Sequence, residues 1–173
     1  MIVVLIGYMA SGKSTLGRIL AKKLNYDFLD LDDYIEEKEQ LLVSDIFKSK
    51  GEIYFRKVET LYLKMLLENN TKLVLSLGGG TPCYSDNMNF IRNTVKAKSI
   101  YLKASIPTLV SRLKTEKSKR PLIAHLETDE LLTEFIGKHL FERSQFYNLS
   151  EVTITTDNKT EEAIIEELVL KLF

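Results

Sequence analysis

The segment Gly7-Tyr8-Met9-Ala10-Ser11-Gly12-Lys13-Ser14 constrains the fold more than any other part of the chain. It fits the pattern G-x-x-x-x-G-K-[ST], and it sits where that pattern has physical meaning, after a strand and opening a helix. Ile2–Ile6 before it is a β-branched apolar run without alternation, as a strand buried on both faces requires. Leu16, Ile19, Leu20 and Leu24 after it recur at helical spacing. In such a joint the glycines let backbone N–H groups point inward at phosphate oxygens, and the helix N-terminus adds a favourable dipole. Lys13 is then placed to bridge the terminal phosphates of a nucleoside triphosphate, and the Ser14 hydroxyl to bind Mg²⁺.

The rest of the chain alternates in the same way. Tyr26–Leu29 reads as a second strand, running into the acids Asp30, Asp32 and Asp33, with a helix at Tyr34–Lys38. Phe55, Val58, Tyr62 and Met65 mark a long helix that ends near Asn69–Asn70. Leu73–Leu77 is a third strand stopped by Gly78–Gly80, Ser99–Leu102 a fourth, and Glu151–Thr156 a fifth. Pro107 suits the first turn of one helix, and Thr160 is a good N-cap for the last, with Glu161 and Glu162 behind it. Strands alternating with helices predict a three-layer α/β/α domain over a parallel sheet, a single unit spanning residues 1–173. Thr115–Thr128 is the least core-like stretch and reads as a mobile loop over a site.

Composition narrows the function classes. Lys plus Arg and Asp plus Glu both number 24, so the formal net charge is zero. That argues against a nucleic-acid binder resting on a basic surface, and against a polybasic membrane anchor. No apolar run approaches the roughly 18 residues needed to span a bilayer. The apolar start MIVVLIGYMA lacks the basic residues of a secretion signal. The single cysteine, Cys83, permits no internal disulfide. A cytoplasmic enzyme is expected. Without heptads or an evident apolar stripe, it is also expected to be a monomer.

Many proteins with this phosphate loop end a later strand in a metal-holding Asp. Here the candidate strand, Leu73–Leu77, contains no acid. The acids stand instead after the second strand, where pleat alternation would put Asp30 and Asp32 on one side, beside the loop. Asp30 is expected to hold the magnesium's water shell, and Asp32 to meet an alcohol. Asp33 reads as a solvated residue capping the following helix. Further along, Arg56 and Glu59 lie at i, i+3 on one helix face, an oriented fork for a carboxylate. Gly78, Gly79 and Gly80 allow a ligand to approach the backbone closely. Arg112, Lys114, Lys117, Lys119 and Arg120 crowd ahead of Pro121, and Arg143 lies late in a helical stretch. Cys83 reads as an incidental small residue, and neither His125 nor His139 has a sequence partner for metal or base work.

Taken in order, these pieces resemble the shikimate kinases over essentially the whole chain. The matching elements are Gly7–Ser14, Asp30-x-Asp32, Gly51-Glu52-x-x-Phe55-Arg56-x-x-Glu59, Ser76-Leu77-Gly78-Gly79-Gly80, Arg112, Lys119-Arg120-Pro121-Leu122 and Arg143. The resemblance implies a P-loop NTPase-type kinase with a five-stranded parallel sheet, an acceptor-binding insert over about 32–62 and a lid over about 112–126. It implies Mg²⁺-dependent transfer of the ATP γ-phosphoryl group to the 3-hydroxyl of shikimate, on the way to aromatic amino acids. Gly7, Ala10, Ser11, Gly12, Lys13, Ser14 and Thr15 would surround the phosphates, with Ser14 and Asp30 serving the metal. Arg112 would lie over adenine, and Arg120 would reach the transferring group. Arg56 and Arg143 would grip the acceptor carboxylate, Glu59 would orient Arg56, and Asp32 with the Gly78–Gly80 backbone would hold ring hydroxyls. Asp32 either removes the proton or aligns the hydroxyl.

Two other readings compete. A guanine-reading switch would explain Asn158-Lys159-Thr160-Glu161, but its last acid is Glu rather than Asp, and no Asp-x-x-Gly follows the third strand. Those residues are better explained as a strand-to-helix turn. A gluconate or nucleotide kinase of the same fold would share the donor loop, and only the set of Arg56, the three glycines and Arg143 argues for a small hydroxylated carboxylate.

Overall fold

A parallel sheet of five strands forms the centre of the computed structural model, which describes residues 1–116 and 122–173. In chain order the elements are β1 (Ile2–Ile6), α1 (Lys13–Leu24), β2 (Asp27–Asp30), α2 (Leu31–Glu39), α3 (Val43–Asn69) and β3 (Leu73–Ser76). A short 3₁₀ turn at Thr81–Cys83 leads to α4 (Asn87–Asn93), β4 (Ala97–Lys103) and α5 (Ile106–Lys114). The chain ends with α6 (Asp129–Tyr147), β5 (Val152–Thr155) and α7 (Glu161–Leu172). The strand order is β2-β3-β1-β4-β5, with every neighbouring pair parallel. β3 and β4 flank β1 on opposite sides, so the carboxyl end of β1 is the switch point where open α/β sheets bind ligands.

β1 is wholly buried, which is why its sequence does not alternate. Its side chains feed two cores. Val3 and Leu5 pack with Val74, Ile100 and Ile154 under α1 and α7, through Leu16, Leu20, Ile165 and Leu168. Ile2, Val4 and Ile6 pack with Leu73 and Leu75 under the other helices, through Ile35, Leu63, Leu67, Ile91 and Leu132. Ser105 and Thr160 cap α5 and α7, and Pro107 falls in the first turn of α5 as its fixed φ predicts.

Two features differ from expectation. The long helix begins at Val43, interrupted by Gly51 at φ 84°, and it buries Phe55, Val58, Glu59, Leu63, Leu66 and Leu67. Tyr62 is only partly buried because its hydroxyl reaches out to Glu39 Oε1 at 2.9 Å, and Met65 is exposed. α4 was not anticipated, since three asparagines in seven residues hide its apolar Met88 and Ile91. The stretch expected as a lid, 112–126, starts inside α5 and includes Ile123 and Leu126, both buried in the core. Residues 117–121, with Lys119, Arg120 and Pro121, lie outside the described residues. Positions 32–62 form α2 and the larger part of α3. Among the described residues no helix is long and apolar enough to cross a membrane.

Candidate active site

The loop joining β1 to α1 is held by its glycines. Gly12 is the N-cap of α1 at φ 96°, a left-handed backbone that strains any side-chain-bearing residue. A methyl group on Gly7 would come within 2.7 Å of the Leu102 carbonyl oxygen and of Ser11 Oγ. Lys13 Nζ curls back across the loop and donates to the carbonyl oxygens of Gly7 and Tyr8, both at 2.9 Å. Arg112 reaches over from α5, its Nη1 donating to the Ala10 carbonyl at 3.0 Å. The loop from Met9 to Thr15 lines a cavity of about 520 Å³, together with Asp30, Asp32, Ser76, Arg112, Thr156 and Lys159. Ser11 Oγ and Ser76 Oγ are buried there without a hydrogen-bond partner among the described residues. Buried hydroxyls left unpaired are unusual in a finished structure and point to a polar ligand.

The acid missing from β3 is supplied by its neighbour. The register pairs Asp30 of β2 with Ser76 of β3, so the carboxylate stands one strand over at the same level as the expected position. Ser14 Oγ donates to Asp30 Oδ2 at 2.8 Å. Asp30 Oδ1 accepts from the Asp32 backbone N–H at 3.1 Å, making Asp30, not Asp33, the N-cap of α2. Asp32 therefore lies on a helix, not a strand, and the two acids converge through this capping turn rather than through pleat alternation. Burial pushes the Asp32 carboxyl up from the ordinary 3.8 to about 7, aided by Asp30 and Glu59 and opposed by Lys13. The donor set of a hydroxyl and a carboxylate suits a hard cation that keeps most of its waters, as Mg²⁺ does.

A second cavity of about 320 Å³ opens beside the first, and both are lined by Met9, Asp32, Gly78 and Gly79. Arg56, Glu59, Gly80 and Arg143 supply the rest of its polar wall, while Val43, Phe47, Phe55 and Leu122 form an apolar one. Arg56 Nη1 donates to Glu59 Oε2 at 2.8 Å, as the i, i+3 spacing predicted. Burial works against the charged guanidinium, but the Glu59 carboxylate outweighs it and holds the Arg56 pKa above its ordinary value. Thr81 Oγ1 donates to the other Glu59 oxygen at 2.6 Å, so a nearly fully buried acid is satisfied on both sides. Arg143 lies over the face of the Tyr8 ring, 5.7 Å from its centroid.

The three glycines serve a purpose the sequence did not reveal. A methyl group on Gly78 would meet Asp32 Oδ1 at 3.1 Å, one on Gly79 would meet Arg143 Nη1 at 3.2 Å, and one on Gly80 would meet Arg56 Nη2 at 2.9 Å. Each glycine thus clears room for one charged side chain, and none of the three has a positive φ. The Tyr147 hydroxyl fixes the turn by donating to the Gly79 carbonyl at 2.6 Å.

Several of these residues were not legible beforehand. Tyr8, inside the phosphate loop, pairs through its hydroxyl with His139 Nδ1 at 3.0 Å, so His139 has a partner after all, though a structural one. Thr81 and Tyr147 act through contacts distant in sequence. Cys83 lies near both arginines, but burial pushes its thiol up to about 11, which keeps it protonated at neutral pH. Asn158 adopts a left-handed turn, and Lys159 pairs with Glu167 Oε2 at 2.6 Å, as a strand-to-helix joint would have it.

Comparison with known proteins agrees with this geometry. Residues 9–173 match the family model described as shikimate kinase. A shikimate kinase from Flavobacterium psychrophilum is 48% identical over 171 residues, covering 99% of this chain and 98% of its own. The crystal structure of shikimate kinase from Bacteroides thetaiotaomicron superposes with a TM-score of 0.90 at 35% identity, covering 99% of this chain and 98% of that one. Shikimate kinase from Acinetobacter baumannii, solved in complex with shikimate, superposes at 0.85 with 30% identity, covering 99% and 92%. With its phosphate loop, paired cavities and full-length similarity all in agreement, the chain belongs to the shikimate kinase family.

Proposed function

We propose that this family member transfers the γ-phosphoryl group of ATP to the 3-hydroxyl of shikimate, giving shikimate 3-phosphate and ADP. The observation that carries the reading is the meeting of two cavities at Asp32, one behind the phosphate loop and one walled by two arginines. The larger would take MgATP and the smaller a hydroxylated carboxylate, so that the reacting oxygen and phosphorus come together at the shared wall.

Arg56 and Arg143 take the shikimate carboxylate, where planar guanidinium forks give directed, charge-assisted bonds. Asp32 accepts the hydrogen bond of the reacting hydroxyl. Its raised proton affinity near neutrality suits it to receive that proton as the P–O bond forms, although a loose transition state makes alignment its larger contribution. Lys13 leaves the Gly7 and Tyr8 carbonyls to meet the β- and γ-phosphate oxygens, alongside the backbone N–H groups of Gly12, Ser14 and Thr15. Arg120, outside the described residues, is assigned by resemblance to the equatorial oxygens, where charge stabilisation is most effective. Arg112 covers the nucleotide from its seat on Ala10. Ser14 and Asp30 would hold Mg²⁺. When bound, Mg²⁺ neutralises charge on the transferring phosphates.

The protein is read as a cytoplasmic monomer acting on these two small molecules. Release of ADP with MgATP, compared in parallel for shikimate, gluconate, AMP and no acceptor, tests the reading. Shikimate-specific turnover is expected. Turnover with another acceptor would keep the donor site and overturn the roles given to Arg56 and Arg143.

A further inference from the structure

The segment Thr81-Pro82-Cys83-Tyr84 directly follows the three glycines, and its last residue packs against Arg56. We propose that Tyr84 is a positioning residue for acceptor recognition: its ring is the platform that holds Arg56 in the geometry which takes the substrate carboxylate. The proposal rests on Arg56 being a carboxylate-binding residue.

The guanidinium Cζ of Arg56 lies 3.7 Å from the centroid of the Tyr84 ring, in van der Waals contact with its face. So close an approach over the ring face is a cation–π contact, a kind that guanidinium groups favour. The other sides of the group are also occupied. Glu59 Oε2 holds Nη1 at 2.8 Å, Glu52 Oε1 lies 3.5 Å from Nε, and the Phe55 ring is 5.2 Å away. Gly80 leaves out the methyl group that would strike Nη2. Glu59 and Glu52 hold two edges of the guanidinium, but in-plane contacts of this kind leave the tilt of its plane free. A ring beneath the plane removes this freedom before the ligand arrives, which is how preorganisation raises affinity.

Tyr84 is not among the residues lining the acceptor cavity, and it is 38% exposed, so burial in the core does not explain its place. Its place is set from behind. Asn87, fully buried, donates from Nδ2 to the Thr81 carbonyl at 2.9 Å, and the Asn87 backbone N–H reaches the Tyr84 carbonyl at 3.3 Å. Thr81 at the other end of the turn ties Glu59 Oε1 at 2.6 Å. One short segment thus supports Arg56 twice, through the stack and through its carboxylate partner. Among the described residues no hydrogen bond of the tyrosine hydroxyl is part of this support, so phenylalanine should serve in its place.

The test is steady-state kinetics on Tyr84→Ala, Tyr84→Phe, Arg56→Ala and the double variant Arg56→Ala/Tyr84→Ala, with melting temperatures for each. Tyr84→Ala is expected to lower kcat/KM for shikimate about 5- to 30-fold through KM, with the KM for ATP within about twofold of the parent. Tyr84→Phe should restore the parent values, and Tyr84→Ala should have no further effect once Arg56 is gone. Unchanged shikimate kinetics in Tyr84→Ala, equal rises in both KM values, or a full effect persisting without Arg56 would each overturn the role of Tyr84. A normal shikimate KM in Arg56→Ala would instead overturn the carboxylate assignment itself, and the platform with it.

Discussion

Asp32 gives the sharpest quantitative test, because the property that suits it to the reaction should also weaken the fold. Its carboxyl titrates at about 7 in the native state, against an ordinary 3.8, chiefly because it is buried and secondarily because Asp30 and Glu59 repel its charge. The sign follows from proton binding. Below pH 3.8 both states are protonated and no penalty exists. Between 3.8 and 7 the unfolded chain releases its proton while the native chain keeps it, so stability falls as pH rises. Above 7 the penalty is complete. Each pH unit separating the two values corresponds to about 1.4 kcal/mol, so by pH 8 the ionised carboxylate costs the native state about 4 kcal/mol. At pH 5 the cost is only about 2 kcal/mol. Asp32→Asn is uncharged throughout, so its advantage over the parent should grow by about 2–3 kcal/mol between pH 5 and pH 8. For a chain of this size that is a widening of about 5–10 °C in melting temperature. The assay is thermal unfolding with EDTA and without nucleotide, at both pH values, alongside turnover at pH 8. Turnover should fall by about 10²–10⁴-fold while stability rises, a trade expected of a strained active-site acid. Parallel melting differences at the two pH values, or an Asn variant less stable than the parent at pH 8, would refute the reasoning.

Gly80→Ala would place a methyl group 2.9 Å from Arg56 Nη2, whereas at Gly79 the nearest atom is Arg143 Nη1 at 3.2 Å. Shikimate KM should therefore rise in both variants and more in Gly80→Ala, with ATP KM little changed, as parallel saturation curves would register. Arg56→Ala should weaken shikimate binding by about 1.5–3 kcal/mol through a lost charge-assisted bond, leaving nucleotide binding nearly intact. Calorimetric titration of both ligands decides this, and equal losses for the two count against it. Asp157 ties the β5–α7 turn to the start of α5, accepting from Ser105 Oγ at 2.8 Å and from the Ser105 N–H and Thr108 hydroxyl. Burial opposes its charge, but those hydrogen bonds win and hold its pKa below the usual range. Asp157→Ala should thus cost about 1–2 kcal/mol in urea unfolding at pH 7, and that difference should shrink as pH falls through the carboxylate range. A loss that does not change with pH would mean the carboxylate charge is not what holds the turn.

What could be read from sequence tracks how local the physics is. The phosphate loop was legible because contiguous residues build it, and the Arg56–Glu59 pair because a helix repeats at a known period. β1 was legible because burial on both faces leaves an unbroken apolar run. Asp30 and Asp32 do meet beside the phosphate loop, but the pleat argument fails because α2 begins at Leu31, directly after β2, and a helix cap joins the two acids. The Tyr8–His139 and Tyr147–Gly79 contacts span 131 and 68 residues, and no local pattern predicts such pairings. Mixed polarity around Ile123 and Leu126 likewise conceals two side chains that are buried in the core.

The glycine triplet shows most clearly what sequence alone omits. Its composition predicts close approach of a ligand, and all three glycines do line the second cavity, but the same turn also makes room for Asp32, Arg143 and Arg56, which arrive on α2, α6 and α3. Three elements far apart in the chain therefore converge on one turn, and the absence of side chains there is what permits convergence. A ligand in the acceptor cavity meets these charged groups only because the turn yields its own volume to them. Each glycine faces a different charged group, so substitutions at Gly78, Gly79 and Gly80 should not be interchangeable: the first should press on Asp32 and Thr81, the second on Arg143 and the third on Arg56.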